Sequence, residues 1–355
     1  MRVGIATFFP NNNYGCLLQA FALQQKVESL GFDAEIIAFE PSYKYLSTIK
    51  NFFDFPHLIV GMYRYIQRHQ AIKHFASDSR IKSTKIYKTI KELNQLDYDI
   101  LIAGSDQIWH SEALAQRSGG SDYYFLNFGS NIKKKISYAA SISQKKWPKD
   151  FEIKGIDYLK KIDNISVREQ SATQYLNSIG FHNVATVCDP TLLHNGDFYI
   201  QLFAIVKNIS NNPFLFRIRE NIPQSITPLL KDRYTDVFMG KKGKKPSINQ
   251  WLSYIYNASF IVTDSFHCTV FCILFHKPFV VIPNQANGIG MNERFATLLG
   301  ATELEYRCLT NTQSSNKILD IINTPVNWSN IDSILNKWKA YSVNWLKTAL
   351  YEIKT

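Results

Sequence analysis

At 355 residues, with 45% hydrophobic and 14% aromatic residues, the chain has enough apolar material for one large or two medium cores. A charged fraction of 19%, with 16 Gly and 12 Pro and no run of either, excludes a disordered low-complexity chain and a collagen-like one. Forty Lys and Arg against 29 Asp and Glu leave a net charge of +11, which favours an acidic partner such as a phosphorylated substrate, an anionic lipid or a nucleic acid.

Short apolar runs alternate with longer stretches of helical period, the pattern of an α/β domain with parallel strands. In the first half, strands are expected at residues 2–8, 34–39, 99–103, 135–139, 164–167 and 184–187, with helices at 16–30, 57–76, 86–96, 151–162 and 171–179. Together they make one doubly wound, Rossmann-like domain over residues 1–193. The second half repeats the logic on a smaller scale. Its strands are expected at 198–206, 236–239, 260–263 and 278–282, and its helices at 248–257, 265–275, 292–299 and 316–322, giving a second Rossmann-like domain over residues 194–326. Residues 327–355 carry Ile334, Leu335, Trp338, Tyr341, Trp345, Leu346 and Leu350 at helical spacing and are expected as an amphipathic helix packing on the body.

The five cysteines, Cys16, Cys188, Cys268, Cys272 and Cys308, are odd in number and scattered through apolar sequence, which points to a reducing compartment. Cys268 and Cys272 lie near His267 and His276, but a zinc site needs four convergent ligands and no second paired cluster exists, so neither metal nor cofactor is expected. The segment before Pro10 is too short for a signal peptide, and the most apolar stretch, residues 260–282, is interrupted by Asp264, His267 and Lys277. The expectation is a cytoplasmic protein, at most peripheral to a membrane. The densest basic runs, residues 133–135 and 241–245, are short and read as solvated loops, so nucleic acid is not expected as a partner.

Two open α/β sheets facing one another create a cleft, and ligands of such sheets bind beyond the carboxyl ends of the strands. Four segments that follow strands directly carry chemistry. After the first strand, Asn13, Tyr14 and Gly15 lead into a helix; they offer amide groups to a hydroxyl-rich ligand, or Asn13 simply caps the helix. After the third, Gly104-Ser105-Asp106-Gln107 with Trp109 packs hydroxyl, carboxylate, amide and indole together. Asp106 there can orient or deprotonate a sugar hydroxyl and Trp109 can stack on a sugar ring, the alternative being a cap for the next segment. Arg168, after the strand at 164–167, presents a fork of donors suited to a carboxylate or phosphate, or forms an ion pair with Glu169 or Asp189. Finally Thr263-Asp264-Ser265-Phe266-His267 breaks a buried strand into an apolar helix, which places His267 in the first turn beside N–H groups that suit an anion.

Taken in order, Asn13-Tyr14-Gly15 with Leu18-Gln19, Ala103 to Gln107 with Trp109, Ile165-Ser166-Val167-Arg168-Glu169, Cys188-Asp189-Pro190-Thr191 and Thr263 to His267 resemble the polysaccharide pyruvyl transferase family. The resemblance implies a two-domain architecture similar to glycosyltransferase B enzymes. It implies transfer of the enolpyruvyl group of phosphoenolpyruvate onto two hydroxyls of a sugar, in a bacterial surface polysaccharide or its lipid-linked precursor, giving a pyruvate ketal and phosphate. By the same resemblance His267 is the acid and Arg168 binds the donor. By analogy with glycosyltransferase B architecture the second domain, with Asp264, Ser265 and Phe266, holds much of the donor site, and the first, with Asn13, Tyr14, Gly15, Ser105, Gln107, Trp109 and, as a catalytic group placed by position, Asp106, faces the acceptor. Several family members carry Arg-Leu-His where this chain has Ser265-Phe266-His267; Arg294 is the first candidate to supply the missing charge, residues 241–245 the second. Cys268 stands where related sequences tend to have glycine. With a lipid-linked acceptor, the net positive charge and the aromatics near residues 52–65 would favour an anionic membrane surface. Two rivals remain: a nucleotide-sugar glycosyltransferase of the same architecture, and a non-catalytic glycan or anionic-lipid binder.

Overall fold

The structure, a computed structural model, describes residues 1–10, 13–41, 80–115, 119–129, 131–208, 212–218, 223–230, 233–240, 245–282, 292–309 and 313–352. The expected helix at 57–76, the aromatics near 52–65 and the lysines at 241–244 lie outside these residues. The chain divides into two compact units, Met1–Leu193 with Lys339–Thr355, and His194–Trp338.

Unit 1 is built on six parallel strands, β1 (Arg2–Ala6), β2 (Asp33–Ile37), β3 (Ile100–Ala103), β4 (Lys134–Ala140), β5 (Asn164–Val167) and β6 (Val184–Thr186), in the order β2-β1-β3-β4-β5-β6. Val3 pairs with Ala34 on one side and Ile100 on the other. The central strands are near-continuous apolar runs because both faces of a parallel sheet are covered; Val3, Ile5, Ala6 and every residue of β3 are fully buried. The helices are α1 (Tyr14–Ser29), α2 (Ile90–Leu93), α3 (Ser111–Ala115), α4 (Gly120–Tyr124), α5 (Lys149–Leu159) and α6 (Gln170–Ser178).

Strand order reverses between β1 and β3, and in sheets of this kind that switch point opens the crevice where ligands bind. The two loops leave the sheet there in close contact. The Gly104 N–H donates to the Ala6 carbonyl at 2.8 Å, and a Cβ on Gly104 would come within 3.0 Å of Thr7 Cβ. The outer edge of β2 is guarded by parallel bridges from Ile36 to Ser83 and from Phe39 to Tyr87.

Unit 2 carries four parallel strands, β7 (Phe214–Arg217), β8 (Thr235–Phe238), β9 (Ile261–Thr263) and β10 (Phe279–Val281), ordered β10-β9-β7-β8. Its helices are α7 (Gly196–Leu202), α8 (Ile248–Asn257), α9 (Phe266–Leu274), α10 (Asn292–Ala301) and α11 (Ser315–Asn323). Leu215, Val262 and Val280 pack with Ile318, Ile321 and Ile322 of α11. Trp251 of α8 meets Phe216 at 5.3 Å and Phe271 of α9 at 5.6 Å, so aromatic rings tie both helices to the sheet.

The expectation of a strand at 198–206 is corrected: residues 196–202 form α7, because the Asn195 side chain accepts the Phe198 N–H at 3.0 Å and caps a helix. The strand that fills this place in the sheet is β7, four residues after Pro213, too short to stand out by period. The last helix, α12 (Trp328–Tyr351), is not one appendage: residues through Trp338 belong to unit 2 and those from Lys339 to unit 1. In unit 2, Trp328 stacks on His276 at 5.1 Å, and His276 Nε2 lies 2.9 Å from Asp332 Oδ1. In unit 1, Ser342 Oγ accepts the Cys188 N–H at 3.0 Å and the Tyr351 hydroxyl donates to the Leu30 carbonyl at 2.8 Å.

Among the described residues no helix is long and apolar enough to cross a membrane, and no group of three or more His, Cys, Asp or Glu side chains could hold a metal ion. All five cysteines are free thiols.

Candidate active site

In unit 1 the polar residues that follow β1, β3, β4, β5 and β6 form one buried network. Asn13 caps α1, its side chain accepting the Gly15 N–H at 2.9 Å, and Tyr14 is buried in the first turn of that helix. Cys16, one residue further on, donates its S–H to Asp106 Oδ2. Asp106 holds a left-handed backbone (φ 74°), unusual for a non-glycine residue, and its Oδ1 accepts the N–H of half-buried Gln107 at 2.9 Å. Two further positive φ values, at Ala139 and Ser143, fall on the end of β4 and the loop after it, and the Ser141 N–H donates to the Asp106 carbonyl at 3.0 Å. Backbone strain gathered at the ends of adjacent strands is a mark of functional loops.

Arg168 stands at the end of β5 with 2% of its side chain exposed. Its Nη1 donates to Asp189 Oδ2 at 2.6 Å and to Ser105 Oγ at 3.4 Å, while Nε lies 3.6 Å from Glu169 Oε1 and Nη2 lies 3.9 Å from Asp106 Oδ1. Burial works against the guanidinium charge, but Asp189, Glu169 and Asp106 together outweigh it and hold the arginine pKa above its ordinary value. The ion pairs with Glu169 and Asp189, the alternative to an anion-binding role for Arg168, are thus both present. Glu169 also receives the Ser141 hydroxyl, and Ser141 and Ser143 share a hydrogen bond of 2.8 Å. Nearby, burial pushes the Cys188 thiol up to about 11, so it stays neutral.

Trp109 corrects an expectation. It is fully buried, its Nε1 donates to the Tyr124 carbonyl at 3.1 Å, and its ring stacks on Phe125 at 5.1 Å, so the indole serves the core and has no face to offer a sugar. Ser105 is also fully buried, and its hydroxyl donates to Asp189 Oδ2 at 3.3 Å. Sequence reasoning did not single out Cys16, Ser141 or Ser143. The signal was present for the two serines: hydroxyls directly after a buried strand, the same pattern that pointed to Ser105.

In unit 2, β9 ends in Thr263, whose Oγ1 accepts the Ser265 N–H at 3.0 Å. Ser265 then caps α9 by accepting the Cys268 N–H at 3.4 Å, so the helix starts regularly with a cysteine at that place. Asp264 Oδ1 accepts the Ile218 N–H at 2.7 Å and ties the start of α9 to the end of β7. His267 is buried in the first turn, its ring edge-on to Phe266 at 5.3 Å. Arg294, from the first turn of α10, lies over the other neighbour of that ring pair: its guanidinium sits 5.4 Å from the Phe266 ring centroid. The structure therefore brings Arg294 and His267 against the same phenylalanine. Also in unit 2, Arg217 pairs with Asp236 at 2.7 Å, and Lys245 donates to the Phe238 carbonyl at 2.7 Å.

The model of the polysaccharide pyruvyl transferase family matches residues 13–286. The chain belongs to that family. Family membership makes the protein a transferase of polysaccharide biosynthesis with a glycan acceptor, and the matched stretch contains the network of unit 1 and the start of α9 but stops short of Arg294. No curated protein matches the chain by sequence. Solved structures share the fold alone. A Listeria monocytogenes protein described as a UDP-N-acetylglucosamine 2-epimerase has a TM-score of 0.54 at 11% identity, covering 99% of this chain and 97% of its own. MnaA of S. aureus, solved with UDP, has a TM-score of 0.52 at 10% identity over 98% and 96%. Arabidopsis thaliana UGT89C1, complexed with quercetin, has 0.51 at 10% identity over 98% and 98%. These relatives place the transferase in the GT-B architecture, with a Rossmann-like fold in each unit.

Proposed function

We propose that this transferase moves the enolpyruvyl group of phosphoenolpyruvate onto two hydroxyls of a sugar in a surface polysaccharide or its lipid-linked precursor. The observation that carries the reading is the pairing of His267 and Arg294 on Phe266 at a helix start. A proton donor and a fixed cation stand together there, beside the partial positive charge of a helix N-terminus.

The roles follow from the chemistry. His267 gives a proton to the methylene carbon of the enol phosphate, which makes the central carbon electrophilic. One sugar hydroxyl adds to that carbon, the bond from carbon to the phosphate oxygen breaks, and the second hydroxyl closes the ketal. The two hydroxyl protons balance the change: one replaces the proton His267 gave, and the other leaves on phosphate. Arg294 and the helix start at Asp264, Ser265 and Phe266 hold the donor phosphate and stabilise its charge as it leaves. Arg168 takes the donor carboxylate, and Asp106 accepts a proton from the acceptor. Asn13, Tyr14, Gly15, Ser105 and Gln107 shape the acceptor side by holding the loops that carry Asp106.

The test is incubation with phosphoenolpyruvate and a panel of bacterial glycans, following phosphate release and the gain of an acid-labile carboxyl group on the glycan. Acceptor-dependent release of phosphate is expected. Transfer of a sugar from a UDP-sugar, with no reaction of phosphoenolpyruvate, would establish the glycosyltransferase reading that the GT-B relatives allow.

A further inference from the structure

The segment Cys188-Asp189-Pro190-Thr191 has no part in the reaction as described, yet Asp189 makes the closest contact to Arg168. Both of its carboxylate oxygens are committed. Oδ1 accepts the Thr191 N–H at 3.0 Å and the Thr191 hydroxyl at 2.6 Å; Oδ2 accepts Arg168 Nη1 at 2.6 Å and the Ser105 hydroxyl at 3.3 Å. The carboxylate cannot rotate without breaking hydrogen bonds at both ends, so the turn after β6 dictates where Arg168 Nη1 lies. Glu169 and Asp106, at 3.6 and 3.9 Å, contribute charge without that directional bond.

We infer that Asp189, held by Thr191, is a positioning residue that aims Arg168 at the carboxylate of the donor. The inference rests on the proposed reading of phosphoenolpyruvate as donor. Charge decides between the donor's two anionic ends. One arginine among three buried carboxylates is a poor host for a dianionic phosphate, and a single carboxylate adds less negative charge to that set. An arginine pinned through Nη1 keeps its planar fork oriented, which lowers the entropy cost of binding.

The test is titration calorimetry of the whole chain with two probes, phosphoenolpyruvate and inorganic phosphate, on the unmodified protein, Asp189→Asn and Thr191→Val. Asp189→Asn is expected to weaken phosphoenolpyruvate about tenfold or more, the scale of a charge-assisted hydrogen bond, while changing phosphate affinity less than about twofold. Thr191→Val, close in shape to the native side chain, is expected to weaken phosphoenolpyruvate about two- to fivefold with the same split, and it carries the test alone if Asp189→Asn does not fold. Equal weakening of both probes, or no change for phosphoenolpyruvate in the folded variants, overturns the positioning role while leaving the donor reading intact. Failure of the unmodified chain to bind phosphoenolpyruvate overturns both.

Discussion

At the strand ends of unit 1 one buried arginine is surrounded by three carboxylates, whereas at those of unit 2 an arginine lies on an aromatic ring beside a histidine at a helix start. The same position in the two Rossmann-like sheets thus carries different charge surroundings. In unit 1 acidic groups outnumber the cation, an environment that suits a base acting on sugar hydroxyls. In unit 2 a guanidinium lies on a π face beside a helix N-terminus, an environment that suits a phosphate.

Substitutions at four positions break or sharpen this contrast. The largest effect is expected for His267→Ala, which removes the proposed proton donor: acceptor-dependent phosphate release should fall by about 10²- to 10⁴-fold, with affinity for phosphoenolpyruvate changed far less. Asp106→Asn should cost at least about 10²-fold in the same assay if the carboxylate acts as base, and retention of full activity would move the base elsewhere. For Arg294→Ala, calorimetry should record about 10- to 100-fold weaker binding of phosphoenolpyruvate and of inorganic phosphate alike, with Arg294→Lys recovering part of the loss. The smallest effect belongs to the core. Trp109→Phe leaves the Tyr124 carbonyl without its indole donor and should destabilise unit 1 by about 1–3 kcal/mol in thermal unfolding, while activity toward the glycan stays unchanged; a selective rise in acceptor KM would return the ring to the acceptor side.

The sequence was most legible where a rule of position applied. The pattern marks residues directly after buried strands, and Asp106, Arg168 and His267 all lie at such ends. Arg294 follows no strand and enters only as a charge to replace the one missing at Ser265; the structure sets it on Phe266, the residue between Ser265 and His267. Side-chain direction was not legible. Trp109 sits in the same polar run as Asp106, but its indole turns into the cluster of Tyr124, Phe125 and Trp147, a choice made by tertiary packing. The strand expected at 198–206 failed for a local reason: the capping power of Asn195 outweighed an apolar run that period alone could not assign, and the four-residue strand β7 was too brief to compete.

The central claim is that the start of α9 with Arg294 binds the phosphate end of phosphoenolpyruvate. Thermal unfolding of the unmodified chain and of Arg294→Ala, each with millimolar phosphoenolpyruvate or UDP, tests it most directly. A ligand at a hundredfold excess over its Kd stabilises the folded state by about 2.7 kcal/mol. The account predicts that phosphoenolpyruvate raises the unfolding temperature of the unmodified chain, that Arg294→Ala removes most of that rise, and that UDP gives none. Stabilisation by UDP alone, or a phosphoenolpyruvate shift that survives in Arg294→Ala, would contradict it.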